Sequence, residues 1–131
     1  MKPFPFKLTL LLLVICFSCS GDDDNNTPTQ EEEAQILNAM FSEIESMATS
    51  LRCEDPSDWS FTSFGSKPCG GPIGYIAYPL SIDTQLFLDK VEAHKLEQEA
   101  FNQRWGLISD CSVQPQPIGI SCENGNAILE F

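Results

Sequence analysis

Four cysteines, Cys53, Cys69, Cys111 and Cys122, constrain the fold of this chain more than any other feature. No two of them have the C-x-x-C spacing of a zinc site, and an even number in an exported domain reads as two disulfides. Four cysteines allow three connectivities, and sequence alone does not choose among them. The local pairs Cys53–Cys69 and Cys111–Cys122 are favoured, because each closes a loop of roughly 10 to 17 residues and contributes on the order of 3 kcal/mol. For a fold of roughly 100 residues with a modest core, that is a large share of a net stability of about 5–15 kcal/mol.

Such bracing presupposes export, and the N-terminus supplies it. Lys2 and Lys7 precede an almost purely apolar run from Leu8 to Phe17, LTLLLLVICF. A basic start, about ten apolar residues and a small residue before a cut are the marks of a secretory signal peptide. The run falls short of the roughly 20 residues needed to span a bilayer, so an uncleaved anchor helix is the weaker reading. The segment CFSC, with small Ser18 just before Cys19, resembles the lipobox of bacterial lipoproteins. The resemblance implies a signal peptide over residues 1–18, a diacylglycerol on the Cys19 thiol and acylation of the new N-terminus. Cys16 departs from the family's preference for an aliphatic residue there, and cleavage before Cys16 would put bulky Ile15 where a small residue is wanted. Each buried methylene contributes about 0.8 kcal/mol, so two or three acyl chains on Cys19 anchor durably where one holds weakly.

After Cys19 the chain reads SGDDD, which resembles the Ser-plus-acid export signal of surface lipoproteins in Bacteroidota, especially flavobacteria. Gly21 interrupts the match. The resemblance implies an outer-membrane, lipid-anchored protein, with the cell surface favoured over the periplasmic face. An ordinary solvated acidic tether is the alternative. Residues 19–29 contain no apolar side chain beyond Cys19 and are expected to form a disordered tether of at most about 35 Å. The full chain carries a formal charge of −12, and loss of Lys2 and Lys7 leaves five basic against nineteen acidic residues, near −14. With no basic stripe, nucleic acid is not an expected partner, and a basic partner is favoured electrostatically.

Residues 30–131 are expected to form one α+β domain: two amphipathic helices packed on a small antiparallel sheet, braced by disulfides. Gln30 to Leu51 reads as a helix with Thr29 and Glu32 as a capping box. Its apolar face comprises Ile36, Leu37, Met40, Phe41, Ile44, Met47, Ala48 and Leu51, within about 140° of arc. Trp59 and Phe61 alternate with polar residues, as in a short strand with one apolar face, with an irregular loop whose aromatics pack inward as the alternative. The stretch CGGPIGYIAYP, residues 69–79, sets Gly70, Gly71 and Pro72 as a turn before a β-prone run from Ile73 to Tyr78. A second helix, capped by Ser81 or Asp83, runs to about Arg104 and stops at Gly106. It carries two apolar stripes, one of Phe87, Val91, His94, Phe101 and Trp105, the other of Leu86, Ala93, Leu96 and Ala100, implying burial on two sides. Asn124-Gly125 is the preferred pair for a two-residue type I′ hairpin, which sets Cys122 opposite Ala127, Ile120 opposite Leu129 and Ile118 opposite Phe131.

No catalytic set emerges. His94 is the only histidine and sits on an apolar helical stripe with no identifiable nucleophile, and the disulfides consume the thiols. Glu54, Asp55 and Asp58, or Glu97 and Glu99, are neighbours of the kind that nineteen acids produce by chance. Calcium-loop spacing and a phosphate-cradling glycine loop are absent, so no metal or cofactor is expected. These features favour a contact role for a membrane-anchored binding module, with a protein or glycan ligand and no enzymatic activity. The expected contact region is the braced turn Pro68, Gly70, Gly71 and Pro72 together with Tyr75 and Tyr78. An exported enzyme inhibitor acting through a disulfide-braced loop is the alternative, and a carboxylate-dependent hydrolase the weaker third.

Overall fold

The computed structural model describes residues 27–131. The leader over residues 1–18, Cys19 and the first part of the tether lie outside the described residues. The chain runs α1 (Gln30–Ala48), a single 3-10 turn (Pro56–Asp58), β1 (Trp59–Phe64), β2 (Gly74–Pro79), α2 (Thr84–Arg104), β3 (Gly119–Glu123) and β4 (Asn126–Glu130). The architecture is α+β, with the strands divided between two antiparallel hairpins, β1–β2 and β3–β4.

Both helices begin where their caps dictate. The Glu32 amide donates to Thr29 Oγ1 at 3.3 Å and the Thr29 amide to Glu32 Oε2 at 2.8 Å, a reciprocal capping box. Asp83 Oδ1 accepts the Leu86 amide at 3.0 Å at the start of α2. Helix α1 ends at Ala48 rather than Leu51. The Thr49 and Ser50 hydroxyls donate back to the carbonyls of Glu45 and Met47, each at 2.8 Å, and take over the last turn's acceptors. The buried side of α1 is Glu33, Leu37, Ile44 and Ala48, flanked by half-buried Phe41 and Met47. Ile36 and Leu51 stay about half exposed, at 52% and 48%.

Ile44, Ala48, Tyr78, Phe87 and Val91 form the core, with Phe41, Met47, Phe64, Ile76 and Ile82 packed around them. Only one stripe of α2 enters it: Phe87, Val91, His94 and Phe101 are buried. The second stripe is not covered, with Leu86 and Leu96 at 47% and 54% exposure. The expectation of burial on two sides is corrected, because α1 and the β1–β2 hairpin meet α2 along the same stripe.

In β1–β2, Trp59 pairs with Pro79, Phe61 with Ala77 and Ser63 with Tyr75. Phe64, Ile76 and Tyr78 face the helices. Side chains alternate along a strand, so Trp59, Phe61, Tyr75 and Ala77 lie on the opposite face, away from the core. The β3–β4 hairpin has the expected register, with Ile120 opposite Leu129 and Cys122 opposite Ala127. Asn124 and Gly125 take φ values of 54° and 84°, the left-handed pair a type I′ turn requires.

The disulfides are Cys53–Cys122 and Cys69–Cys111, spanning 69 and 42 residues. The local pairing is overturned. Cys53 precedes β1 and Cys69 follows it, so the six-residue strand holds them about 20 Å apart at roughly 3.3 Å per residue. Cys53 instead meets the second hairpin, and Cys69 meets the segment after α2. Each long loop so closed contributes about 4 kcal/mol on chain-entropy grounds.

Candidate ligand groove

A cavity of about 460 Å³ lies between the end of α1, β2 and β4. Its size is that of a ligand cleft. Trp59, Tyr75, Leu51, Leu129 and Phe131 supply its apolar walls, and Glu45, Thr49 and Asn126 its polar groups. Trp59 and Tyr75 reach it because they occupy the β1–β2 face that the helices do not cover. Phe61 meets Tyr75 edge to face, with centroids 6.3 Å apart and planes at 79°, which fixes the tyrosine ring. Phe131, just beyond β4, is 66% exposed.

The opposite wall is docked without a core of its own, since no residue of β3 or β4 is fully buried. It is held by the Cys53–Cys122 bond and by the Cys53 amide, which donates to the Gly125 carbonyl at 2.8 Å. Gly125 also lies under the Arg52 guanidinium, where a Cβ would come within 2.7 Å of Nη2. Glu45 and Tyr75 are the titratable side chains among the lining residues, with the Arg52 guanidinium on Gly125 at the rim. An aromatic cleft with one carboxylate and one amide can hold and orient a ligand. Paired-carboxylate hydrolysis needs a second acid facing the first.

The expected contact region divides into three parts. Pro68, Gly70 and Gly71 form an exposed turn and Pro72 is half-buried beside it. Gly70 and Gly71 have φ of 91° and 82°. The turn is stapled to the segment after α2 by Cys69–Cys111 and by Lys67 Nζ, which donates to the Ser112 carbonyl at 2.9 Å and its hydroxyl at 3.0 Å. The Ser112 hydroxyl, and then the Lys67 charge, hold the Asp110 carboxyl below its ordinary range. Tyr75 lines the groove. Tyr78 is removed from the contact surface: it is 7% exposed, and its ring lies 4.6 Å from that of Phe87 in the core, the planes tilted by 32°.

His94 is 5% exposed, beside Phe41 at 5.5 Å, with no hydrogen-bond partner for Nδ1 among the described residues. Burial holds its pKa below the ordinary imidazole value. Sequence reasoning missed the buried Glu33 carboxylate, which accepts from Arg104 Nη1 and, at 2.9 Å, from Trp105 Nε1. It pins the start of α1 to the end of α2. The signal was present, since Glu33 lies four residues before Leu37 on the buried stripe. Also missed were Glu45, Leu51, Asn126, Leu129 and Phe131 as groove residues. The hairpin register alone placed Leu129 and Phe131 on one face.

Among the described residues no three His, Cys, Asp or Glu side chains converge as a metal site would need, and no described helix is long and apolar enough to cross a membrane. No known protein family matches the chain, and neither curated proteins nor solved structures yield a similar one.

Proposed function

We propose that this is an exported lipoprotein, held to the outer membrane through lipid on Cys19 and displayed at the cell surface, whose domain binds a protein or glycan partner in the groove between β2 and β4. The observation that carries the reading is the second apolar face of β1–β2. Trp59, Phe61 and Tyr75 lie outside the core and are only partly covered by the second hairpin. A partly covered aromatic cleft with a few polar groups at its rim suits a ligand better than it suits packing. Export is supported by the leader and by two disulfides, which persist in oxidising compartments. The single carboxylate of the groove favours binding over hydrolysis.

The binding half is tested by NMR titration of the disulfide-bonded domain with pools of oligosaccharides and peptides. Shifts at the Trp59 indole N–H, Tyr75 and Leu129 support it; shifts confined to other surfaces, or none, reject it. The anchoring half is tested by Cys19→Ala, which should move the protein from the membrane to the unlipidated precursor. Unchanged fractionation rejects it.

One observation favours the inhibitor reading as a second. The segment between α2 and β3 displays Ile108 and Val113 at 94% and 92% exposure, on either side of Cys111. Its staples to the 67–71 turn give it the rigidity that an active-site plug needs. Resistance of this segment to proteolysis by an enzyme it inhibits would support that role; rapid cleavage after Val113 would reject it.

A further inference from the structure

The groove is bordered by two strand edges whose backbone groups are left free by their own hairpins. In β1–β2 the Leu80 amide donates to the Asp58 carbonyl at 2.8 Å, in line with the Trp59–Pro79 register. Hydrogen-bonded and non-bonded pairs alternate along an antiparallel ladder. Ser60–Tyr78 and Thr62–Ile76 are therefore the bonded pairs, and the peptide groups of Tyr75 and Ala77 turn away from β1. In β3–β4 the pair closing the two-residue turn is Glu123–Asn126, which makes it and Ser121–Ile128 the bonded pairs. The peptide groups of Ala127 and Leu129 turn away from β3. Tyr75, Ala77, Ala127 and Leu129 all line the groove. Among the described residues, none of the four amides has a backbone partner in a turn, loop or neighbouring sheet.

From this juxtaposition we infer that the occupant of the groove is an extended peptide strand of a basic partner protein, captured by backbone pairing with the free edge of β2 or β4. The inference rests on the groove being the binding site. A free edge in a sheltered cleft offers donors and acceptors at the repeat of another strand, and an added strand satisfies them whatever its sequence. The edges, six and five residues long, call for a partner segment of about five to seven residues at roughly 3.3 Å each. Alternate side chains of that strand would meet the apolar walls, Leu51 and Tyr75 or Leu129 and Phe131. Charge selects the sign of the others. Glu45 is the charged side chain among the lining residues, the Arg52 guanidinium packs on Gly125 at the rim, and the chain's net charge is −12, so the net field favours Lys or Arg over Asp or Glu at the intervening positions. The same charge disfavours a second copy of this chain as the occupant.

The test uses the full domain with both disulfides and a pool of capped heptapeptides. Lys occupies every second position, and Val, Leu, Tyr or Phe the positions between. Three controls accompany it: the same peptides with the backbone amides of one edge N-methylated, the same with Glu for Lys, and neutral oligosaccharides of four to six units. The strand inference expects at least tenfold slower amide exchange at Tyr75 and Ala77, or at Ala127 and Leu129, when a peptide binds. It expects at least tenfold weaker binding after N-methylation of the pairing edge, and several-fold weaker binding for the Glu peptides at low salt. Ala77→Pro and Ala127→Pro each delete one outward N–H without touching a ladder bond. Whichever edge pairs should lose binding on its own substitution, with unchanged amide shifts elsewhere confirming the fold. Peptide binding indifferent to N-methylation, or a saccharide alone shifting the Trp59 indole, overturns the strand and leaves the groove standing. No shift at Trp59 with any probe overturns both.

Discussion

The two hairpins of this domain are built on opposite principles. One face of β1–β2 is packed into the core, with Tyr78 buried and Phe64 and Ile76 beside it. The β3–β4 hairpin buries no residue fully and is attached by a disulfide, one backbone hydrogen bond and the packing of Arg52 on its turn. The first is stabilised by removal of apolar surface from water, the second by a covalent limit on how far the chain can separate. A groove at the seam between them is wide enough for a ligand because the second hairpin was never drawn tightly onto the first.

The largest expected effect tests the packed side. Phe87 is fully buried, and Phe87→Ala should cost close to the upper end of about 3–5 kcal/mol. Urea titration should show both hairpins lost in one transition. Replacing Cys53 and Cys122 together by Ala tests the tethered side and should cost about 4 kcal/mol. Here amide exchange should accelerate in β3–β4 well before β1–β2; equal acceleration in both would break the comparison. Gly125→Ala should cost about 1–2 kcal/mol, because a side chain there is strained at φ 84° and meets Arg52. Its effect should be confined to the second hairpin.

A smaller effect is set by pH. Burial depresses the pKa of His94 in the folded state, so the unfolded chain binds the proton more readily. The stability associated with the neutral imidazole is fully present above about pH 6.5 and is lost as pH falls from there through the folded-state pKa. His94→Phe should flatten the melting temperature between pH 7 and 5 relative to the parent. Smallest of all, Leu96→Ser, on the uncovered stripe of α2 at 54% exposure, should change stability by about 0.5 kcal/mol or less.

What the sequence made legible is what short-range rules decide. The Thr29–Glu32 box, the Asp83 cap, the stop at Gly106 and the Asn124-Gly125 turn each follow from a few adjacent residues. What stayed hidden depends on which faces meet. The alternation of Trp59 and Phe61 announced a strand, but the core took the other face through Phe64. The second stripe of α2 looked buried because hydrophobicity records a preference and not a neighbour. Loop length favoured the wrong disulfides, since it carries no information about a rigid strand lying between Cys53 and Cys69. Tyr75, singled out in the sequence for its chemistry, lines the groove, whereas Glu45, Leu51 and Phe131 enter it only through tertiary placement.

The two ends of α1 have different surroundings. The chain enters the helix at Thr29, and the groove opens beside Glu45 and Leu51 at its exit. Nineteen helical residues separate these points by about 28 Å. In the proposed anchored form, a mooring on the entry side would leave the cleft about one helix length from the lipid, with room for a large partner beside it.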